Sequence, residues 1–102
     1  MHDKTSSTRV AVVQAAPVLF NWEGTVDKAC RLAAEAAAQN AKLILFPEAF
    51  IPAYPRGLSF GIVVGSRRPE GRRTWQRYWE NSIEVPGPAT KVLGAAAQQA
   101  DA

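Results

Sequence analysis

Three side chains of this sequence are the first candidates for catalytic chemistry: the carboxylate of Glu48, the thiol of Cys30 and the imidazole of His2. Glu48 lies two residues after the apolar segment Leu43 to Phe46, and apolar residues also follow it. We expect such surroundings to remove water from the carboxylate and make it a better general base near neutral pH. A glutamate that caps a loop or pairs with an arginine is the structural alternative.

Cys30 and His2 are weaker candidates. Cys30 belongs to a row of small and apolar residues at helical spacing, where a cysteine packs as a small hydrophobic residue. A catalytic thiol needs an accessible and activating environment. A single cysteine also excludes a disulfide framework. His2 lies in the polar segment 1–8, which we expect to be flexible, and we assign it no role.

The elements that must position Glu48 form a βαβ unit. Residues 9–14 are apolar and rich in β-branched side chains, which predicts a first strand. A helix capped by Asn21 and ended at Asn40 follows, and residues 43–46 form a second strand. Both strands are apolar throughout, as is typical of parallel strands that are covered on both faces. Ligands of such sheets bind beyond the carboxyl ends of the strands, where Glu48 lies.

The rest of the chain predicts two further helices. Prolines and a glycine make residues 51–65 mostly irregular. Pro69 is suited to the first turn of a helix that carries Trp75 and Trp79 on one stripe, and Pro88 begins another helix. The fold class is therefore α/β, with one βαβ unit plus two helices. Only 23 residues are Leu, Ile, Val or Phe, so the core is thin.

The formal charge of +3 is concentrated between Arg56 and Arg77, a segment with six arginines and one acid. A basic segment is compatible with nucleic-acid binding, but it is interleaved with no known nucleic-acid motif. We therefore favour a solvated surface or a protein contact over nucleic acid. The apolar runs are too short for a membrane helix. No signal peptide is recognisable, so we expect a cytoplasmic location.

Several ordered segments resemble one enzyme family. Residues 43–50, Leu-Ile-Leu-Phe-Pro-Glu-Ala-Phe, look like the first catalytic motif of the nitrilase, or carbon–nitrogen hydrolase, superfamily. Residues 12–17 resemble its first strand. Residues 51–57 and 79–82 look like the nitrilase branch rather than the amidases. The resemblance extends over nearly the whole chain from residue 9.

The resemblance implies an α-β-β-α sandwich, of which residues 9–102 would be the N-terminal part of a single, incomplete domain. It also implies hydrolysis of a nitrile to a carboxylic acid and ammonia. In the family a Cys thiolate forms a covalent thioimidate, a Glu acts as general base and a Lys stabilises charge. Glu48 matches the family's Glu. Neither a metal nor an organic cofactor is implied.

Two members of the family's catalytic set have no counterpart here. The family's Lys and Cys follow its Glu along the chain, whereas Cys30 precedes Glu48 and Lys91 lies in no matching motif. We therefore carry neither residue over and expect the 102-residue chain to be inactive by itself. The alternative to a nitrilase segment is a truncated, non-catalytic relic or an oligomerisation module of a nitrilase-like assembly.

The resemblance also indicates a substrate residue and an interface. It places Tyr54 near the substrate pocket, although a tyrosine that braces a proline-rich loop is an equal alternative. Segment 57–77 resembles the part of nitrilases that forms subunit contacts in homo-oligomers. Arg72, Trp75 and Trp79 are of the residue types enriched at binding hot spots, although packing onto the domain comes first for the aromatic side chains.

Overall fold

The computed structural model describes residues 6–54, 60, 62–63 and 66–102. His2 and most of the predicted flexible segment 1–8 lie outside these residues, as does Arg56. The described elements follow in the order β1 (Val10–Val12), α1 (Trp22–Ala38), β2 (Leu43–Leu45), β3 (Ile62–Val63), β4 (Ser66–Arg67), α2 (Pro69–Glu80) and α3 (Pro88–Ala100). The predicted class, a mixture of helices with a small parallel sheet, is confirmed.

Strands β1 and β2 form the parallel pair that the sequence predicts. Their residues align as Val10 with Leu43, Ala11 with Ile44 and Val12 with Leu45. Helix α1 connects the two strands and lies against one face of the pair, where Ala11 and Ile44 are half-buried. The parallel arrangement brings the carboxyl ends of both strands to one edge of the sheet, which we call the carboxyl edge.

Helix α1 begins and ends as its sequence predicts. The Asn21 side chain accepts a hydrogen bond of 2.9 Å from the Gly24 amide, which satisfies one free donor of the first turn. Asn40, at φ 67°, ends the segment in the left-handed region that asparagine tolerates. The buried face of α1 consists of small residues and one valine: Thr25, Val26, Ala29, Ala33 and Ala36.

Helix α3 packs against α1 and ends beside β2. At its start the Gly87 amide donates to Thr90 Oγ1 and the Thr90 hydroxyl donates to the Gly87 carbonyl, both at 2.9 Å. At its end the Asp101 carboxylate accepts from Lys42 Nζ at 2.9 Å. The hydrogen bond and charge of Lys42 lower the pKa of Asp101. Because both side chains are solvated, the pair contributes little stability.

The prediction that both strands are covered on both faces is wrong for this structure. Val10 and Val12 are 54% and 68% exposed, and Leu43 and Leu45 are both 61% exposed. These four side chains lie on the face opposite to the helices, since side chains alternate along a strand. Among the described residues no element covers that face. The strands therefore carry more apolar side chains than this part of the fold buries.

Residues 51–65, which the sequence predicts to be mostly irregular, include one strand of two residues. Ile62 pairs with Arg67 and Val63 with Ser66 in a small antiparallel ladder. Strands of two residues are too short to give a period in the sequence, so their pairing was missed. Residues 55–59, 61 and 64–65 lie outside the described part of the chain.

Helix α2 starts at Pro69 as predicted, but its two tryptophans do not pack on the domain. Trp75 is 55% exposed and Trp79 is 64% exposed. Two other side chains of the helix make aromatic contacts instead. The Arg77 guanidinium lies 4.6 Å from the centre of the Phe20 ring, and the rings of Phe60 and Tyr78 meet edge to face at 5.7 Å. The expected packing of Trp75 and Trp79 is therefore wrong for this structure.

Gly87 precedes α3 and Gly94 lies within it. We expect their replacement by alanine to change the free energy of unfolding in opposite directions. A Cβ at Gly87 would lie 2.8 Å from the Glu84 carbonyl oxygen, whereas a Cβ at Gly94 meets nothing within 4 Å. Gly87→Ala should lower the free energy of unfolding by about 1–3 kcal/mol through overpacking. Gly94→Ala should raise it by about 1 kcal/mol because alanine favours the helix interior. Urea titrations that shift both variants in the same direction would contradict this reading.

Candidate active site

Two loops leave the sheet together at the carboxyl edge. The Val13 amide donates a hydrogen bond of 2.8 Å to the Leu45 carbonyl, which extends the pairing of the strands to this edge. Beyond that bond, residues 13–21 form the connection to α1, which we call the β1–α1 loop. Residues 46–54 form the segment after β2, and Glu48 is its third residue. The position predicted for a functional carboxylate is thus the one that the fold provides.

The backbone around Glu48 is held in a tight turn. Phe50 is only 6% exposed and its ring lies 5.6 Å from that of Phe46, so two aromatic side chains anchor the residues on either side of Glu48. Ala49 adopts φ 51°, a left-handed conformation that costs an alanine about 1–2 kcal/mol. Strain of this kind persists where surrounding contacts determine the backbone, and it often accompanies functional residues.

The side chain of Glu48 is exposed to solvent, which corrects the expected loss of hydration. Its apolar sequence neighbours turn away from it, because Phe46 and Phe50 pair with each other and Phe50 packs inward. Apolar neighbours in sequence therefore do not enclose the carboxylate in this part of the fold. Glu48 is presented at the carboxyl edge with access for water and for a ligand.

Tyr54 lies at the end of the same segment and is 59% exposed. Directly before it, Pro52 and Ala53 are buried, so they fix the backbone that carries the tyrosine. The bracing role that was the alternative for Tyr54 would require packing, which this exposure does not provide. Its hydroxyl and ring are available to a ligand on the same segment as Glu48.

Cys30 and Lys91 both lie away from the carboxyl edge. Cys30 is half-buried on α1, and burial raises the pKa of its thiol, with a smaller contribution from the charge of Asp27. A raised thiol pKa leaves little thiolate at neutral pH and gives a poor nucleophile. Lys91 is exposed in the first turns of α3. The structure brings neither residue to Glu48 through a described contact.

Sequence analysis overlooked two side chains that act at the carboxyl edge. Thr25 and Lys28, both on α1, hydrogen-bond the backbone of the β1–α1 loop. A signal for Thr25 was present, because a threonine occupies the apolar stripe beside Val26 and a buried hydroxyl needs a partner. Nothing in the sequence marks Lys28 as a loop anchor, since a lysine on a helix is ordinarily a solvated surface residue.

A cavity of about 480 Å³ lies between β1 and α1 and does not coincide with Glu48. Its lining combines apolar residues of both elements with Arg9 and Glu35. Neither Glu48 nor Tyr54 lines it. We give the carboxyl edge more weight than this groove, because the groove follows the unpaired side of β1 and contains no residue of the segment 43–50.

The described residues bring no three His, Cys, Asp or Glu side chains together in a way that would hold a metal ion. Within the same ranges, no helix combines the length and the apolar character required to cross a membrane.

Known proteins resemble this chain over most of its length. The carbon–nitrogen hydrolase family model matches residues 9–102. An aliphatic nitrilase of Sinorhizobium fredii is 49% identical over 92 residues, which are 90% of this chain and 30% of that protein. A bifunctional nitrilase/nitrile hydratase of Nicotiana tabacum is 44% identical over 96 residues, 94% of this chain and 28% of that protein. Nitrilase 3 of Arabidopsis thaliana is 46% identical over 91 residues, 89% of this chain and 26% of that protein.

The chain therefore belongs to the carbon–nitrogen hydrolase family, and the relatives that it resembles are nitrilases. The resemblance found in the sequence is confirmed at the level of the family and of its nitrilase members. The chain spans between about a quarter and a third of the length of these relatives, and the match begins at the first strand.

The environment of Cys30 predicts a slow thiol. At pH 7.5 we expect Cys30 to react with a disulfide reagent at least about threefold more slowly than a free cysteine does, because burial disfavours the thiolate. Absorbance of the released thiol follows the reaction. The same chain in denaturant is the control and should react at the rate of a free thiol. A folded chain that reacts as fast as the denatured one would show that Cys30 is accessible and activated.

Proposed function

We propose that this chain forms the N-terminal part of a nitrilase, an enzyme that hydrolyses a nitrile to a carboxylic acid and ammonia. The observation that carries the proposal is the position of Glu48, which lies in the family motif and at the carboxyl edge of the parallel strands. The names of the similar proteins support a nitrile as the substrate class. Metal and organic cofactors have no part in the proposal.

In the proposed reaction, a cysteine thiolate adds to the nitrile carbon and forms a thioimidate. One water molecule then releases ammonia and leaves a thioester, and a second water hydrolyses the thioester to the acid and restores the thiol. Glu48 serves as the general base that accepts protons from the thiol and from the attacking waters. The position of Glu48 at the carboxyl edge and the anchored turn around it suit that role.

The cysteine and the lysine of this mechanism are not supplied by the 102 residues. The raised pKa of Cys30 and its place on the packed side of α1 make it unsuitable as the nucleophile. Lys91, in the first turns of α3, is likewise not proposed as the charge-stabilising lysine. We propose that both groups come from sequence that corresponds to the remaining length of the nitrilase relatives.

The same proposal accounts for the thin core. Residues 9–102 would be an incomplete domain, in which a further sheet covers the exposed face formed by Val10, Val12, Leu43 and Leu45. The Cα radius of gyration, 17.9 Å, exceeds the value of about 13 Å for a compact domain of 100 residues. An added sheet on this face would complete a four-layer α-β-β-α sandwich. Residues 1–8 would then precede the domain.

Tyr54 is proposed to contact the substrate. It follows Glu48 on the same segment, its backbone is fixed by buried neighbours, and its side chain is exposed. An aromatic ring with a hydroxyl offers both apolar area and a hydrogen bond to an organic nitrile.

The second candidate function is a non-catalytic one. A chain with only one of three catalytic groups would be a relic, or a module that docks on nitrilase-like subunits. The observation in its favour is the exposed aromatic stripe of α2, formed by Arg72, Trp75 and Trp79. Large exposed tryptophans are unusual on a surface that contacts only water. In either candidate function we propose this stripe as a contact between subunits of a homo-oligomer.

Replacement of Glu48 tests the catalytic proposal in the polypeptide that the intact gene encodes. Glu48→Gln should lower kcat for ammonia release from nitriles by about 10²- to 10⁴-fold, the usual contribution of a general base. Glu35→Gln is the matched control, because it makes the same chemical change on an exposed position of α1. Ammonia is measured with a panel of aliphatic and aromatic nitriles.

Two results would contradict the catalytic proposal. One is a Glu48→Gln variant that turns over nitriles as fast as the Glu35→Gln control. The other is ammonia release by the purified 102-residue chain alone, which we expect to be inactive. A gene product that never hydrolyses a nitrile would favour the assembly module.

Truncation of the large side chains in the aromatic stripe tests whether α2 forms a contact between subunits. Trp75→Ala and Trp79→Ala should each weaken self-association of the gene product by about 2 kcal/mol or more, about 30-fold in the dissociation constant, if they are hot spots. Arg73→Ala is the control for Arg72→Ala, because both arginines are exposed on α2 but only Arg72 lies on the stripe. Sedimentation velocity gives the association state. An unchanged distribution in both tryptophan variants would exclude the stripe as an interface.

A further inference from the structure

The β1–α1 loop needs an external anchor because it makes no strand ladder of its own. Its last ladder bond is the one from the Val13 amide to the Leu45 carbonyl, at 2.8 Å. From there the loop runs eight residues to Asn21, while β2 continues into the segment that carries Glu48. Two side chains of α1 supply the anchoring contacts.

Thr25 makes the first contact. Its side chain has no exposed surface, and its hydroxyl is bonded in both directions to one residue of the loop. The Val18 amide donates to Thr25 Oγ1 at 2.9 Å, and the Thr25 hydroxyl donates to the Val18 carbonyl at 3.1 Å. A buried hydroxyl that both accepts and donates fixes the loop backbone at one orientation, since neither group has water as an alternative.

Lys28 makes the second contact, closer to the carboxyl edge. Its Nζ donates to the Ala16 carbonyl at 2.7 Å, a short charge-assisted bond. Thr25 and Lys28 are three residues apart and so lie on the same side of α1. Together they hold two points of one loop, at Ala16 and Val18, against one face of the helix.

The strand register relates this loop to Glu48. Val13 and Leu45 share a backbone hydrogen bond, Ala16 lies three residues beyond Val13, and Glu48 lies three residues beyond Leu45. Because neighbouring parallel strands end at the same edge of a sheet, we expect the loop and the segment that carries Glu48 to leave the sheet side by side. On that arrangement, a change in the course of the β1–α1 loop would change the surroundings of Glu48, even though α1 itself is not part of the site.

We propose that Thr25 and Lys28 are positioning residues for the reaction, which hold the β1–α1 loop as a fixed wall beside Glu48. Neither residue touches the reacting atoms in this proposal. The inference rests on the proposed nitrilase function for its catalytic consequence, whereas the anchoring itself is independent of that function. It assigns α1, which otherwise serves as a packing element, a direct part in the geometry of the site.

The test compares isosteric and conservative variants of the polypeptide that the intact gene encodes. Thr25→Val removes both hydrogen bonds at nearly constant volume, and Thr25→Ser retains the hydroxyl. Lys28→Met removes the bond to Ala16 and keeps the apolar stem. Thr25→Val and Lys28→Met should lower kcat by about 10- to 100-fold with KM changed by less than about threefold, because misplacement acts on the transition state. Thr25→Ser should recover most of kcat.

Hydrogen–deuterium exchange of peptides 13–21 and 46–50 supplies a second readout. Exchange in both peptides should become faster in Thr25→Val and Lys28→Met, and it should return toward the parental rate in Thr25→Ser. Ala36→Gly is the stability control, because glycine weakens the last turn of α1, which leads to the start of β2 at the opposite edge of the sheet.

Three results would overturn the proposal. The first is parental kcat in both Thr25→Val and Lys28→Met. The second is a loss of kcat no larger than that of Ala36→Gly at an equal loss of thermal stability. The third is faster exchange confined to peptide 13–21. If the parental gene product hydrolyses no nitrile, the proposed function is wrong. The anchoring is then judged by exchange in peptide 46–50 alone: faster exchange in Thr25→Val and Lys28→Met supports it, and unchanged exchange contradicts it.

Discussion

The hydrogen bond from the Val13 amide to the Leu45 carbonyl, 2.8 Å long, closes the parallel strand pair at the edge where two loops leave the sheet. Parallel pairing requires a long crossover, and α1 provides it, so the helix, the loop before it and the segment after β2 are geometrically tied. Glu48 obtains its place from this arrangement. The tight turn at Ala49 and the paired rings of Phe46 and Phe50 then determine how the carboxylate is presented.

The same strand pair explains why the fold is unevenly packed. One of its faces lies against α1 and α3, through a core in which alanine is the commonest side chain, while the other leaves two valines and two leucines exposed. Alanine buries little area, so the free energy gained from this core is small. Strands whose exposed face is as apolar as their covered face belong in a sheet that is packed on both sides. The family match and the length of the nitrilase relatives agree with that reading.

Much of the local structure could be predicted from the sequence. Asn21, Asn40, Pro69 and Pro88 marked the ends of helices, because capping and proline geometry act within one turn of the residue that causes them. Glu48 was found from its position after a strand and from the family motif. Two expectations were wrong: that Glu48 loses its hydration, and that Trp75 and Trp79 pack on the domain. Both were wrong because apolar neighbours along the chain do not determine which way a side chain turns.

The sequence by itself determined the family, the βαβ order of elements and the carboxylate that matches the catalytic Glu of nitrilases. Only the tertiary structure decided which strand face is covered, which residues of α2 make contacts, and that Thr25 and Lys28 hydrogen-bond the β1–α1 loop. The difference has a physical reason. Caps, turns and strand propensity depend on residues within a few positions of each other, whereas the bond from Lys28 to Ala16 and the contact of Arg77 with Phe20 exist only after distant segments have packed.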